Sequence, residues 1–183
     1  MKHTLIFIAV VLFSTNLFSQ ETISANGFFY KVSVSTSLII NENEAIRVLF
    51  GEENEFIDTS GFFLNNTMGY QIDKRSSLGV NLGVDWHTRQ GLFFLPIYLD
   101  YKYNLILGEE GAFFVRGGYG ILSNIAHDFE KGNMYKVGAG IQGIVSSKGN
   151  AILIGVDYTQ KRFGIEKRDR LSTVSISLEL MLF

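Results

Sequence analysis

Eight times along this chain the side chains alternate with a period of two, apolar on one parity and glycine, amide, hydroxyl or charge on the other. Successive residues of a strand point to opposite faces, so each stretch carries one oily surface and one polar surface. In LGVNLGVDWHT (78–88), Leu78, Val80, Leu82, Val84 and Trp86 oppose Gly79, Asn81, Gly83, Asp85 and His87. If the oily face is the core, the chain is a soluble sandwich or a ligand-binding barrel. If it faces outward, only hydrocarbon can receive it.

The same alternation runs over 28–38, 62–72, 93–104, 113–121, 135–142, 152–159 and 174–182, with Asn66 interrupting the apolar parity of the second. No helical apolar period is sustained anywhere, and 16 Phe, 8 Tyr and 19 Gly with one Pro fit a β protein. One domain is expected from 183 residues without a Pro- or Ser-rich linker. The start, MKHTLIFIAVVLFSTNLFSQ, has the layout of a secretory signal peptide, with cleavage expected after Ser19, leaving 20–183 as the barrel domain. Its apolar run, Leu5 to Phe13, is too short for a membrane helix of about 20 residues. The absence of cysteine excludes a lipid-anchored lipoprotein and a disulfide framework. Without Lys2 the chain has 15 Lys plus Arg against 18 Asp plus Glu, formally −3, which gives no reason to expect a nucleic-acid partner.

The connections alternate in length. DKRSS (73–77), LGEEG (107–111) and SSKGN (146–150) are short; 41–60, 123–132 and 160–172 are long and charged, and TRQG (88–91) is the short member of that second set. An up-and-down membrane barrel with both termini in the periplasm puts all short turns on one side and all long loops on the other. In that arrangement Phe28, Tyr30, Tyr70, Tyr101, Tyr103 and Phe113 ring the periplasmic end of the oily face, and Phe62, Trp86, Phe93, Tyr119, Tyr135 and Tyr158 ring the other, with Val, Leu and Ile between. Two aromatic girdles around an aliphatic band suit a lipid-facing surface. The opposite parity holds Lys31, Asp85, Arg89, Asp100, Lys102, Arg116, Lys136, Asp157 and Glu179 beside many glycines. In an eight-stranded barrel the interior is just wide enough for side chains, so such charges must pair and the glycines make room for them. The expected fold is all-β: an eight-stranded antiparallel up-and-down transmembrane β-barrel with a filled lumen. Pro96, which has no N–H for a ladder, is expected at a bulge or at the upper rim of the fourth strand.

The signal peptide, FLPIYLDYKYNL (94–105), AFFVRGGYGI (112–121), YKVGAGIQG (135–143) and the closing VSISLELMLF (174–183) together resemble small bacterial outer-membrane β-barrels of the OmpA/OmpX type, a porin family with an outer membrane protein beta-barrel domain. The resemblance implies residence in the outer membrane among its lipids. Phe183 looks like the terminal signal such proteins offer their assembly machinery, although it lies out of phase with Leu178, Leu180 and Leu182.

Chemistry is sparse. Asp85 and His87 share the lumen parity, and such a pair is able to activate a water or a serine in an outer-membrane lipid-modifying enzyme; no GxSxG or other nucleophile motif accompanies them. Residues two apart on one strand face are neighbours by geometry alone, so a structural role is the expectation. His127 beside Asp128 reads as solvated, and Glu52, Glu53, Glu55 and Asp58 lack the spacing of a calcium loop. NNT (65–67) matches a glycosylation acceptor but falls inside a strand. GGYG and GAGIQG lie within strands and open no helix, so they do not read as phosphate loops. The expected role is therefore non-enzymatic, with no catalytic, cofactor or metal residues: a monomeric structural or surface-binding protein. It would act through 41–60, with Ile46, Val48, Leu49 and Phe50 as contact candidates, and through 160–172. The alternatives are the lipid-modifying enzyme and a soluble lipocalin-like carrier.

Overall fold

The computed structural model describes residues 26–38, 59–88, 90–108, 110–124, 129–145, 149–164 and 169–183. The expected leader (1–19), Arg89, His127, Asp128, the loop carboxylates Glu52, Glu53, Glu55 and Asp58, and the contact candidates Ile46, Val48, Leu49 and Phe50 lie outside them.

Eight strands follow one another in the chain: β1 (Gly27–Leu38), β2 (Thr59–Gln71), β3 (Ser76–His87), β4 (Leu92–Leu107), β5 (Gly111–Ser123), β6 (Gly132–Ile144), β7 (Ala151–Phe163) and β8 (Asp169–Leu182). Each pairs antiparallel with the next, and β1 pairs with β8 from Tyr30↔Leu182 to Leu38↔Val174, so the sheet closes on itself. At 12 to 16 residues the strands exceed the roughly 9–11 that a tilted strand needs to cross a hydrocarbon core.

Which face is inside is decided by exposure. Leu82 and Ile154 are 51% and 49% exposed, whereas Arg116 and Asp157 retain 5% and 0%. The oily parity is the outside of the barrel and the charged parity fills its axis. That arrangement rules out a lipocalin-like carrier, whose lumen is the apolar face. Asn66, the polar intruder on the outer face, is not bare: the Tyr30 hydroxyl on the neighbouring strand donates to its Oδ1 at 2.5 Å.

Two expectations are corrected. The segment 160–172 is mostly strand: β7 and β8 stay in register from Gln160↔Ser172 to Phe163↔Asp169, and Gly164 enters the connection with a φ of 75°. Charge hid the period, because Gln160 and Arg162 point outward while Lys161 and Phe163 point inward. Pro96 marks neither a bulge nor a rim. It lies within β4 opposite Leu122 of β5, and β3–β4 pairing has the same offset at Leu82↔Ile97 and at Asp85↔Phe94, with the pairs at Gly83 and Val84 missing between. A residue without an N–H drops ladder bonds locally while the strand keeps its register. The irregularity of β4 lies instead between Asn104 and Ile106.

The β2–β3 turn is tied by Asp73, whose Oδ1 accepts from the Arg75 N–H at 2.6 Å and the Ser76 N–H at 2.7 Å. The Arg75 amide, then that of Ser76, hold this exposed carboxyl below its ordinary range.

Candidate functional site

The lumen is layered. At the end carrying the first and last strand termini, Phe29, Phe114, Ala151, Leu153 and Met181 form a dry cap with Phe183 packed against it. The Phe29 and Phe183 rings lie 6.0 Å apart, and the Phe183 N–H donates to Asn150 Oδ1 at 3.1 Å. This explains why Phe183 is out of phase with the outer leucines. Its ring closes the barrel mouth. At the opposite end, Phe94, Tyr98, Leu122, Met134 and Phe163 form a second dry cluster with Leu92 and Leu171 against it.

Between the caps runs a continuous ion network. The Arg116 guanidinium forks onto Asp157, Nε to Oδ1 and Nη2 to Oδ2 both at 2.6 Å, donates to Ser177 Oγ at 2.8 Å, and its Nη1 pairs with Glu179. Lys31 reaches Asp100 at 2.9 Å and Glu179 at 3.0 Å, and Lys136 reaches Asp157 at 3.1 Å. Lys102, on the same lumen face, has no carboxylate partner among the described residues; it donates to Gln142 Oε1 and lies 5.7 Å from the Phe114 ring centre. Glycines make the room for these charges. A Cβ on Gly138 would fall 2.0 Å from Asp157 Oδ1, and one on Gly155 would fall 2.8 Å from Arg116 Nη2.

Asp85 and His87 do sit together near the loop end of the lumen, as the sequence placed them, but a third residue stands between. Lys161 Nζ lies 2.6 Å from Asp85 Oδ2 and 2.8 Å from His87 Nε2, and 4.6 and 4.7 Å from the ring centres of Phe63 and Phe94. An ammonium only donates, so the Nε2 lone pair that a general base would use is already engaged. His87 is 0% exposed, and its ring is packed 4.9 Å from Phe63 and 5.5 Å from Phe94. Sequence reasoning missed Lys161 because it read 160–172 as loop; the unbroken parity Asp157, Thr159, Lys161, Phe163 was the available signal. It also missed both caps. That signal lay in four Phe–Phe doublets, 28–29, 62–63, 93–94 and 113–114, each of which puts one ring outside and one inside.

Little space is left. The gap among Ser35, Phe63, Asp85, Tyr98, Lys136 and Thr159 measures ≈ 10 Å³, the lower limit for one water. Among the described residues no three His, Cys, Asp or Glu side chains stand close enough to hold a metal.

No family model matches the chain, and no curated protein sequence does. Solved structures do. Neisserial surface protein A superposes with a TM-score of 0.60 at 10% identity, over 87% of this chain and 99% of that one. The fold is that of a small outer-membrane β-barrel. The N-terminal barrel of Pseudomonas aeruginosa OprF (TM-score 0.48, 13% identity, 84% and 97% coverage) and a de novo designed transmembrane β-barrel (0.47, 13%, 90% and 100%) are also similar. In an outer-membrane barrel of this build, lipid lies against the Leu, Val and Ile belt, and the aromatic girdles flank it: Phe28 meets Tyr70 edge-on at 5.0 Å, and Trp86 stacks on Phe93 at 5.7 Å.

Proposed function

We propose that the chain is an integral protein of the bacterial outer membrane, non-enzymatic and without a cofactor, with a shut lumen and a structural or surface-binding role at its loop end. The observation that carries this is the ion-paired lumen between two dry caps inside an apolar exterior. Aqueous channels belong to barrels of roughly twice this strand number, and here the axis is occupied by Arg116, Lys31 and their carboxylates. The enclosed His87, with Lys161 between it and Asp85, supports a structural role for that pair. The similar structure from Neisseria is named a surface protein, which accords with activity at the loops. The binding segments are 41–60 and the tip of the β7–β8 hairpin.

Membrane fractionation, heat-modifiable gel migration and planar-bilayer recording test the reading together. The chain is expected to stay with the outer membrane, to run as a compact band before heating, and to give no conductance steps. Release with the soluble periplasm, or stepwise currents from the folded form, would overturn it.

A further inference from the structure

The outward face of the barrel is not the same all round at its loop end. On β2 to β4 it is apolar, with Phe62, Trp86 and Phe93 side by side in register and Phe129 6.4 Å from Phe93. On β6 to β8 the outward face towards the loop end is polar and internally hydrogen-bonded, while β5 presents Tyr119 and the exposed Ile121. Asn133 donates to Tyr119 Oη at 3.3 Å, Tyr135 donates to Gln160, and Gln160 Nε2 donates to Tyr158 Oη at 3.3 Å and to Ser172 Oγ at 3.2 Å.

One step further along the strands, Arg162 of β7 and Arg170 of β8 are direct cross-strand partners, both exposed. Neither has an ion-pair partner among the described residues. Asp169, the carboxylate next to them in sequence, is paired with Phe163 and so lies on the lumen parity. Lys131, also exposed, stands just before β6, where Asn133 is the partner of Arg162. Like charges directly opposite on one face destabilise a sheet unless an anion lies between them. Below the polar strip the same faces become aliphatic: Val137 on β6, Ile154 and Val156 on β7, Ile176 and Leu178 on β8, all exposed.

We infer that this sector binds a phosphorylated glycolipid of the leaflet that faces the loops. The three tiers match such an amphiphile in order. Paired guanidinium forks fit phosphate oxygens, the uncharged tyrosine, amide and serine groups fit sugar hydroxyls, and the aliphatic tier takes acyl chains. A free phosphate would use only the first tier, and a soluble sugar only the second. The inference rests on the outer-membrane reading and on the loops facing outward.

The test uses the full folded chain in detergent, with bis-phosphorylated lipid A as the probe and native mass spectrometry to count bound lipid. Binding is expected for the unaltered chain and is expected to fall by about tenfold or more in the double variant Arg162→Gln/Arg170→Gln, taking each basic group near an anionic surface at about 1 kcal/mol. Dephosphorylated lipid A should bind as weakly as that variant binds the intact lipid. Gln160→Ala keeps every charge and should still weaken lipid A binding, without changing that of phosphatidylglycerol. Undiminished binding by the double variant or by Gln160→Ala overturns the inference, as does equal competition by phosphatidylglycerol, which would mark an unspecific anionic attraction. Displacement by inorganic phosphate at equal concentration would reduce the site to a phosphate site and overturn it too. Heat-modifiable migration in the same samples separates the two readings: a compact barrel that does not bind sinks only this inference, whereas failure of the unaltered chain to give a compact band sinks the membrane reading with it.

Discussion

Arg116 is the residue on which the interior most depends, because its guanidinium holds Asp157 and Glu179, carboxylates of two different strands that are nearly or fully buried. Arg116→Leu leaves each of these acids in a dry axis with a single lysine, Lys136 for Asp157 and Lys31 for Glu179, and removal of one partner from a buried ion pair costs about 3–5 kcal/mol. Urea titration of the folded barrel in lipid should show a loss of that order. Gly138→Ala tests the complementary point, that the charges need space: its Cβ meets Oδ1 of the Asp157 carboxylate, which Arg116 holds at Oδ1 and Lys136 at Oδ2. The same titration should report about 1–3 kcal/mol of destabilisation, the usual range for overpacking. Asp85→Ala is expected to destabilise the barrel and to leave the acyl pattern of cellular lipid A unchanged; a changed pattern, read by mass spectrometry of extracted lipid, would restore the enzymatic alternative. At this scale the sequence was legible wherever parity and polarity agreed, as at Lys31, Asp100 and Arg116. It was misleading where they disagreed: Phe29, Phe63, Phe94 and Phe114 are apolar yet point inward, because the two barrel mouths need dry closure that a rule of oily outside and charged inside does not anticipate.

Strands and turns were readable to the extent that side chains encode them. The eight alternating stretches correspond to the eight strands, since a one-residue slip would turn every leucine of the belt into the axis. Ends were less legible. Charged residues extend β7 to Phe163 and start β8 at Asp169, because a hairpin that rises above the lipid has no reason to be apolar. Pro96 was misjudged for a different reason: a strand held on both sides tolerates one missing donor without shifting register. The β2–β3 turn gives a pH prediction. The Asp73 carboxylate accepts two amide N–H groups, and its folded value lies below the ordinary one, so its contribution is fully present above the ordinary carboxylate range and is lost as pH falls through the lowered folded value. Amide protection at Arg75 and Ser76, taken relative to the intrinsic exchange rate at each pH, should be high at neutral pH and fall only under acid, whereas in Asp73→Asn it should be lower throughout.

For the molecule as a whole, the decisive contact is the one between the two strands most distant in sequence. Every backbone group in hydrocarbon must be satisfied, so a sheet of seven strands has no stable place in lipid. A chain stopped before Asp169 is expected to give no compact band on unheated gels and to be degraded or aggregated; insertion of that truncated form would contradict the role of the β1–β8 pairing. Seven-eighths of a cylinder is thus worth little more than none of it. The seam that Tyr30 to Leu38 makes with Val174 to Leu182 joins the first and the eighth strand, so lipid itself inspects each copy for completeness and rejects any with an open hem.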